Sequence, residues 1–276
     1  MQYRPVSDAE PTVTLRTGDV EVVLYPDAGA RIGQITVGGQ PLLIDVPAPP
    51  DRHPTGWGSF AMVPWAGRIR QGRFSFRGID HQLPINHHDG PGPERAHAIH
   101  GLTVDRPWNV RVVSDTTRTF AIELDWEFGG IAEQSVSVLE DRVVVTLMVH
   151  STGADFPAEI GWHPWFRRPT GIEFSPTAMY ERDEFGLPTG ALVEPTDGPW
   201  DDCFLGDGPV LLHYDRPVAP TVSVGSGCDH WVVYSEPADA ICVEPQSGPP
   251  DAFNLPDAGH VVDPDSPITR TMWIAW

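Results

Sequence analysis

Two short segments of the sequence place a titratable side chain in a rigid, apolar setting. In ICVEPQSGPPDAFN (residues 241–254), Glu244 ends an apolar run, and prolines and a glycine restrict the backbone after it. In EIGWHPWF (residues 159–166), His163 lies among aromatic residues and precedes a proline. A carboxylate and an imidazole form a candidate acid–base pair, with no obvious nucleophile or metal beside them. The alternatives are a carboxylate that caps nearby N–H groups and a core histidine.

Two further segments carry charged side chains that interrupt the strand-like pattern. In WAGRIRQGRF (residues 65–74), Arg68 is either a solvated surface arginine or a planar donor to ligand hydroxyls or an acid group. In PWDDCF (residues 199–204), Asp201 and Asp202 precede a cysteine and an aromatic residue, and at least one of them fits a solvated acidic turn. Aromatic faces beside polar groups suit a sugar ring, which has an apolar face and a hydroxyl rim.

Four histidines occur in the loop NHHDGPGPERAHAIHGLTVDRPW, residues 86–108. The spacing of His97 and His100 is compatible with a metal site, but no carboxylate or cysteine lies at a diagnostic spacing. Structural roles and hydrogen bonds to a polar ligand both remain open for these side chains. We therefore predict no bound metal.

The amino-acid composition limits the kinds of molecule that the protein is expected to bind. The 276 residues carry 18 basic and 38 acidic side chains, for a net charge of -20. This charge argues against nucleic acid and anionic membranes as partners, since both require a basic face, and it favours a neutral small molecule. Every basic residue is arginine, which excludes an amine nucleophile and a P-loop. The three unpaired cysteines and the absence of an apolar leader predict a cytoplasmic protein.

Period-two apolar segments dominate the chain and predict strands. The clearest pair is EQSVSVL and RVVVTLMVH, and similar pairs are EVVLYP with ARIGQITV, RFSF with HQLPI, and WNVRVV with TFAIELDWEF. TVSVG, HWVVYS, AICVE and TRTMWIAW continue the pattern, and no long segment has helical periodicity. We predict an all-β fold, a large twisted antiparallel β-sandwich, as one domain over residues 1–276. Residues 1–15 are predicted to be a loose N-terminal arm.

In their order along the chain, four motifs resemble those of the aldose 1-epimerase (galactose mutarotase) family. They are RIRQGRFSFRGIDHQLPIN, AIHGLTVDRPW, GWHPWF and VEPQSGPPDAFN, and they span about 190 residues. The resemblance implies a β-sandwich with a sugar in a cleft on one sheet. It also implies a cofactor-free isomerase that interconverts the α and β anomers of a free aldohexose or related sugar.

The resemblance also implies roles for individual residues. Glu244 matches the general base and His163 the general acid, so the pH profile of kcat/KM should be a bell. With Glu244 ionised and His163 protonated, loss of the carboxylate would set the acid limb and loss of the imidazolium the alkaline limb. The candidates for sugar binding are Arg68, His100, Asp201, Gln246 and Trp165.

Three departures from the family pattern affect the substrate more than the reaction: Gly67 replaces an asparagine, Leu102 a second glycine, and Trp165 a tyrosine. A fourth departure, Asp202 where a histidine is common, bears on the role of the neighbouring Asp201. Alternative functions are a non-catalytic carbohydrate-binding protein, an epimerase for phosphorylated or sulfonated sugars, and a glycoside hydrolase with two carboxylates. The sequence does not indicate an oligomeric state.

Overall fold

A computed structural model describes residues 12–46, 53–256 and 258–276 of the chain. Within these residues the two largest sheets have eleven and eight strands. Numbered in chain order, the strands of the larger sheet are β1 (Val13–Thr17), β2 (Val20–Tyr25), β3 (Arg31–Val37), β4 (Gln40–Pro41), β5 (Ser59–Met62), β16 (Gly161–Arg167), β18 (Ala178–Arg182), β19 (Pro188–Val193), β20 (Asp201–Leu205), β23 (His230–Tyr234) and β24 (Ala240–Gln246). The order across this large sheet is β1-β2-β3-β5-β16-β24-β23-β20-β18-β19, with β4 paired to β3.

The second sheet contains eight strands of the described residues. They are β11 (Asn109–Ser114), β12 (Thr117–Glu123), β13 (Ile131–Val138), β14 (Arg142–His150), β17 (Gly171–Glu173), β21 (Val210–His213), β22 (Thr221–Ser226) and β26 (Ile268–Ala275). Their order in this small sheet is β11-β12-β13-β14-β26-β22-β21-β17.

Short strands and single helical turns surround the two sheets. The remaining strands are β6 (Arg68–Ile69), β7 (Arg73–Phe76), β8 (Ile79–Gln82), β9 (His87–His88), β10 (Ala96–Ile99), β15 (Phe156–Ala158) and β25 (His260–Val262). The helical turns in the described residues are of the 3-10 type, at Pro26–Ala28, Arg70–Gly72, Pro93–Arg95 and Ala252–Asn254. The described part of the chain has no helix with the length and hydrophobicity that a bilayer crossing requires.

The prediction of an all-β antiparallel sandwich is confirmed. The predicted hairpins form β2–β3, β7–β8, β11–β12 and β13–β14, each in antiparallel register. Of the predicted N-terminal arm, residues 1–11 lie outside the described residues. The following residues, Val13–Leu15, are not loose, because they pair with β2 as part of β1.

The core lies between the two sheets. Strand β14 alternates buried and partly exposed side chains along its whole length, as expected for a sheet with one face toward the core. Strands β16 and β24 are different, since almost all of their side chains are buried. One face of these two strands contacts the core, and segments from residues 60–104 cover the other face. This covered outer face carries the candidate site.

Candidate active site

The floor of the site is the outer face of the central strand pair β16–β24. The register joins Gly161 to Gln246 and Trp165 to Cys242, which places His163 opposite Glu244. Side chains alternate along a strand, so Trp162 and Val243 point into the core while their neighbours His163 and Glu244 point outward. The proximity of the two residues is therefore a direct consequence of strand register.

Two prolines interrupt the backbone ladder at this point. Pro164 and Pro245 follow His163 and Glu244 directly, and neither carries an N–H group to donate. Prolines are rare inside sheets because each removes a ladder hydrogen bond. The ladder between β16 and β24 resumes on both sides of them, at Gly161–Gln246 and Trp165–Cys242. The prolines thus fix the backbone beside each titratable group without separating the strands.

The acid–base candidates are in direct contact. His163 Nε2 lies 3.2 Å from Glu244 Oε1, and Gln246 Nε2 donates to the other carboxylate oxygen at 3.2 Å. The imidazole is stacked between Phe60 and Trp165, with ring centroids 4.9 and 5.4 Å away. Its Nδ1 atom is buried and has no hydrogen-bond partner among the described residues. Aromatic packing, rather than a second hydrogen bond, holds the ring.

Burial moves the pKa values of the two groups toward their neutral forms. Desolvation raises the pKa of Glu244 well above its usual value, and the charge of Asp201 raises it further. Desolvation lowers the pKa of His163 to about 3. Between these two pKa values the pair therefore holds one proton.

His100 forms a third side of the site. Its ring is perpendicular to that of His163, with centroids 4.9 Å apart, and burial lowers the pKa of His100 well below its usual value. Its backbone has a positive φ of 59°, a strained conformation for a non-glycine residue. The following Gly101 has a φ of 78°, and a Cβ there would lie 1.9 Å from the carbonyl oxygen of Val63. The chain thus requires glycine after the histidine.

Arg68 lies on the strand next to His100, since β6 pairs with β10 through Arg68 and Ile99, and it has a fixed partner. Its Nε and Nη2 groups donate to the two carboxylate oxygens of Asp89 at 2.7 and 3.2 Å. Burial opposes the charged form of Arg68, but the hydrogen bond and charge of Asp89 raise the pKa of the guanidinium overall. Asp201 and Glu244 add attraction from the other side.

The two aspartates of the PWDDCF segment have different surroundings. Asp201 lines the cleft, and the guanidinium of Arg182 lies 3.7 Å from its carboxylate. Asp202 does not line the cleft and forms an ion pair with Arg182 at 2.8 Å. Asp201 is therefore the one available to a ligand.

A cleft of about 670 Å³ lies above the floor. All seven site residues predicted from the sequence line it: Arg68, His100, His163, Trp165, Asp201, Glu244 and Gln246. Further lining residues that the sequence did not single out are His53, Thr55, Asp89, Arg106, Tyr234 and Glu236. Asp89 directly follows the His87–His88 pair, and this carboxylate beside two histidines was the available signal.

Comparison with known proteins decides the family. The sequence profile described as aldose 1-epimerase matches residues 11–275. The chain belongs to the aldose 1-epimerase family. Among curated proteins, YihR of Escherichia coli K12 is 26% identical over 283 residues, covering 92% of this chain and 89% of that protein. YphB of the same organism is 26% identical over 242 residues, covering 74% of this chain and 77% of that protein.

Solved structures share the fold of this aldose 1-epimerase family member. A structure from Escherichia coli K12 is 22% identical, has a TM-score of 0.81, and covers 96% of this chain and 98% of that chain. A galactose mutarotase-like protein from Clostridium acetobutylicum is 15% identical and has a TM-score of 0.77, covering 95% of this chain and 94% of that chain. At these identities the similarity establishes the sandwich architecture.

The departures from the aldose 1-epimerase pattern have structural explanations. Gly67 has a φ of 61°, and a Cβ there would lie 2.8 Å from a side-chain carbon of Pro250. The Leu102 side chain packs against the buried cluster that contains Trp65 and Ile69. The indole of Trp165 donates to the carbonyl of Thr55 at 2.7 Å, so the bulkier ring is tied to the cleft wall. The first departure removes a side chain from the cleft, and the last adds aromatic surface.

Three potential metal ligands meet in the floor. Ligand atoms of His163, Cys242 and Glu244 all lie within 4.8 Å of one another. Burial raises the pKa of the Cys242 thiol well above its usual value, which opposes the thiolate that a metal would require. The absence of a functional metal remains a prediction.

Proposed function

We propose that this chain is a cofactor-independent aldose 1-epimerase that interconverts the α and β anomers of a free aldohexose or a closely related neutral sugar. The observation that carries the proposal is the 3.2 Å contact between His163 and Glu244 on the floor of a polar cleft. Both reacting oxygens, the ring oxygen and the C1 hydroxyl, are bonded to the same carbon. An acid and a base that touch each other can each reach one of them.

In the proposed reaction, Glu244 takes the proton of the C1 hydroxyl while protonated His163 gives its proton to the ring oxygen. The bond from C1 to the ring oxygen breaks, and an open-chain aldehyde forms. After rotation about C1–C2, the ring oxygen attacks the other face of C1. His163 then regains a proton from that oxygen, Glu244 returns one to the new C1 hydroxyl, and both groups are restored.

The charges of the cleft support a neutral substrate. Arg167 is paired with Asp45 at 2.5 Å, and Arg168 donates to backbone carbonyls, including that of Ser235 at 2.7 Å. Neither arginine lines the cleft. Arg68 and Arg106 do line it, and each has a carboxylate partner: Asp89 holds Arg68, and Asp125 lies 3.6 Å from Arg106. This pairing of both cleft arginines with carboxylates favours a neutral sugar over an anionic one.

Polarimetry tests the reaction. Freshly dissolved α-D-glucose and α-D-galactose should approach their equilibrium rotation faster with the protein than without it. No acceleration with any of a panel of aldoses would refute the enzyme. Rates on glucose, glucose 6-phosphate and a sulfonated hexose separate the neutral from the anionic substrate class, with the neutral sugar expected to be fastest.

A non-catalytic carbohydrate-binding protein is the alternative from another class. It would bind sugar equally before and after the substitution Glu244→Gln and would accelerate mutarotation in neither form. The buried acid–base pair favours the enzyme, because binding alone does not require two titratable groups in mutual contact. Exhaustive chelation should leave turnover unchanged, and loss of activity that added metal restores would contradict a metal-free mechanism.

A further inference from the structure

The loop over residues 86–97 carries a network that the proposed reaction does not use. Asp89 Oδ1 lies 2.5 Å from His87 Nε2, and Asp89 Oδ2 lies 3.8 Å from His97 Nε2. His97 is fully buried, and its Nδ1 accepts the backbone N–H of Gln71 at 3.2 Å. Two histidines therefore flank the carboxylate that holds Arg68.

The backbone around Asp89 is fixed as well. Strands β9 and β10 pair His87 with His97, and the Asp89 N–H donates to the carbonyl of Arg95 at 2.9 Å. A carboxylate held by both backbone and side-chain contacts loses little additional entropy when it orients a partner.

Arg68 has competing partners inside the cleft. Both Asp201 and Glu244 attract its guanidinium electrostatically. In the described part of the chain, Asp89 takes the Nε and Nη2 donors, and the Nη1 group makes no hydrogen bond. Without Asp89 the long side chain would be free to turn toward the floor, where it would occupy the position of a ligand.

We infer that Asp89 is the residue that positions Arg68 and that, by balancing its charge, Asp89 makes the cleft favour neutral over anionic ligands. The inference rests on the proposed function, because it assigns Arg68 to ligand binding. Asp89 itself is a positioning residue, since it acts through the guanidinium. Two consequences follow, one for sugar affinity and one for anion affinity.

The first consequence is tested by a double-mutant cycle on sugar binding. The dissociation constant of the best aldose is measured by tryptophan fluorescence for the parent, Asp89→Asn, Arg68→Gln and the double variant. Asp89→Asn should weaken binding by at least about tenfold, as expected for breaking a buried charge pair. The double variant should equal Arg68→Gln alone, because Asp89 acts only through Arg68. Parental affinity in Asp89→Asn, or additive losses, would overturn the inference.

The second consequence is tested with inorganic sulfate as the probe. Asp89→Asn should bind sulfate about tenfold more tightly than the parent, because the cleft guanidinium has lost its counter-charge. Adding Arg68→Gln should remove this gain. Loss of structure alone would not create an anion site, so unchanged sulfate affinity in Asp89→Asn refutes the charge-balancing role.

A matched control is available outside the cleft. Asp155 pairs with Arg77, and neither residue lines the cleft. Asp155→Asn should leave both affinities unchanged, and all variants are compared by circular dichroism and thermal unfolding. If the parent binds no aldose, the proposed function fails, whereas the sulfate measurement still decides the role of Asp89.

Discussion

At the scale of single residues, the protonation states of Glu244 and His163 on the floor of the cleft are the feature that most affects catalysis. Because the pKa of Glu244 is raised and that of His163 is lowered to about 3, the pair holds one proton over the range between them. The reactive form, an ionised Glu244 beside a protonated His163, also holds one proton. Its fraction is therefore constant across that range and falls on either side. The acid limb of the pH profile therefore lies at the pKa of His163 and the alkaline limb at that of Glu244, the reverse of the order that ordinary pKa values would give.

In kcat/KM the alkaline limb should lie at the pKa of Glu244 and the acid limb at that of His163, but each limb is removed by substituting the other group. Glu244→Gln should lower kcat/KM by on the order of 10²–10⁴ and abolish the acid limb, because its residual rate depends only on protonated His163. His163→Asn should cause a similar loss of rate and abolish the alkaline limb, because its residual rate depends only on ionised Glu244. Both are measured by polarimetry across pH. Loss of the alkaline limb in Glu244→Gln would contradict the assigned roles.

Sugar affinity should change much less than the rate in both variants. Arg68, His100 and Asp201 line the cleft independently of the pair and would still hold the ring. Equilibrium binding of the sugar to each variant checks this expectation. A parallel collapse of affinity would mean that the substitutions had damaged the cleft and not only the chemistry.

At the scale of structural elements, the loop that carries His100 depends on one close backbone contact. Gly101→Ala would place a methyl group 1.9 Å from the Val63 carbonyl, so the two segments must separate and His100 must move. The variant should lose most activity and unfold at a lower temperature.

Gly78→Ala is the matched control for this prediction. Its φ of 79° is nearly the same as that of Gly101, but nothing lies within 4 Å of the added Cβ. It should cost only about 1–2 kcal/mol of strain and leave activity intact. Equal effects of the two substitutions, by activity and thermal unfolding, would show that the contact with Val63 is unimportant.

At the scale of the whole molecule, the buried floor makes stability depend on pH. The unfolded chain binds a proton at His163 below about pH 6.5, whereas the folded protein does so only near pH 3. The contribution of this group to the free energy of unfolding should therefore decrease as the pH falls through that window, by at most about 1.4 kcal/mol per pH unit. Glu244 acts in the opposite direction, since its raised pKa destabilises the fold as the pH rises above 4.5.

Urea unfolding at pH 7 and pH 5 measures the histidine effect. His163→Asn lacks the titrating imidazole, so it should lose less free energy of unfolding than the parent between these two values. An identical loss in both proteins would mean that His163 is accessible to protons in the folded state.

The cysteines give a second test of the whole fold. Cys203, Cys228 and Cys242 are buried, and burial raises the pKa of each thiol, to about 11 for Cys228. An aromatic disulfide reagent should label the native protein very slowly and all three thiols after denaturation. Cys203→Ser should keep most activity, because Cys203 packs and does not react. Rapid labelling of the native protein, or complete inactivation of that variant, would contradict this.

The sequence predicted local features better than distant ones. Hairpins such as β13–β14 follow from alternating apolar residues and a short turn. The motifs identified Glu244, His163 and the binding residues, all of which line one cleft. The adjacency of β5, β16 and β24 was not predictable, because these strands are about 80 to 100 residues apart in the sequence. Their periodicity predicts that they are strands but does not indicate which strands pair. The Arg68–Asp89 pair was missed for the same reason, since it joins a strand to a loop without periodic sequence.

The placement of the acid–base pair on adjacent central strands also links catalysis to correct folding. A slip of β24 by one residue against β16 would turn Glu244 into the core and bring Val243 to the surface of the cleft. No molecule with that error would have a base opposite His163. Recovered turnover after refolding therefore counts the molecules whose two central strands have found the right alignment, a quantity that spectroscopic signals of β-structure do not distinguish.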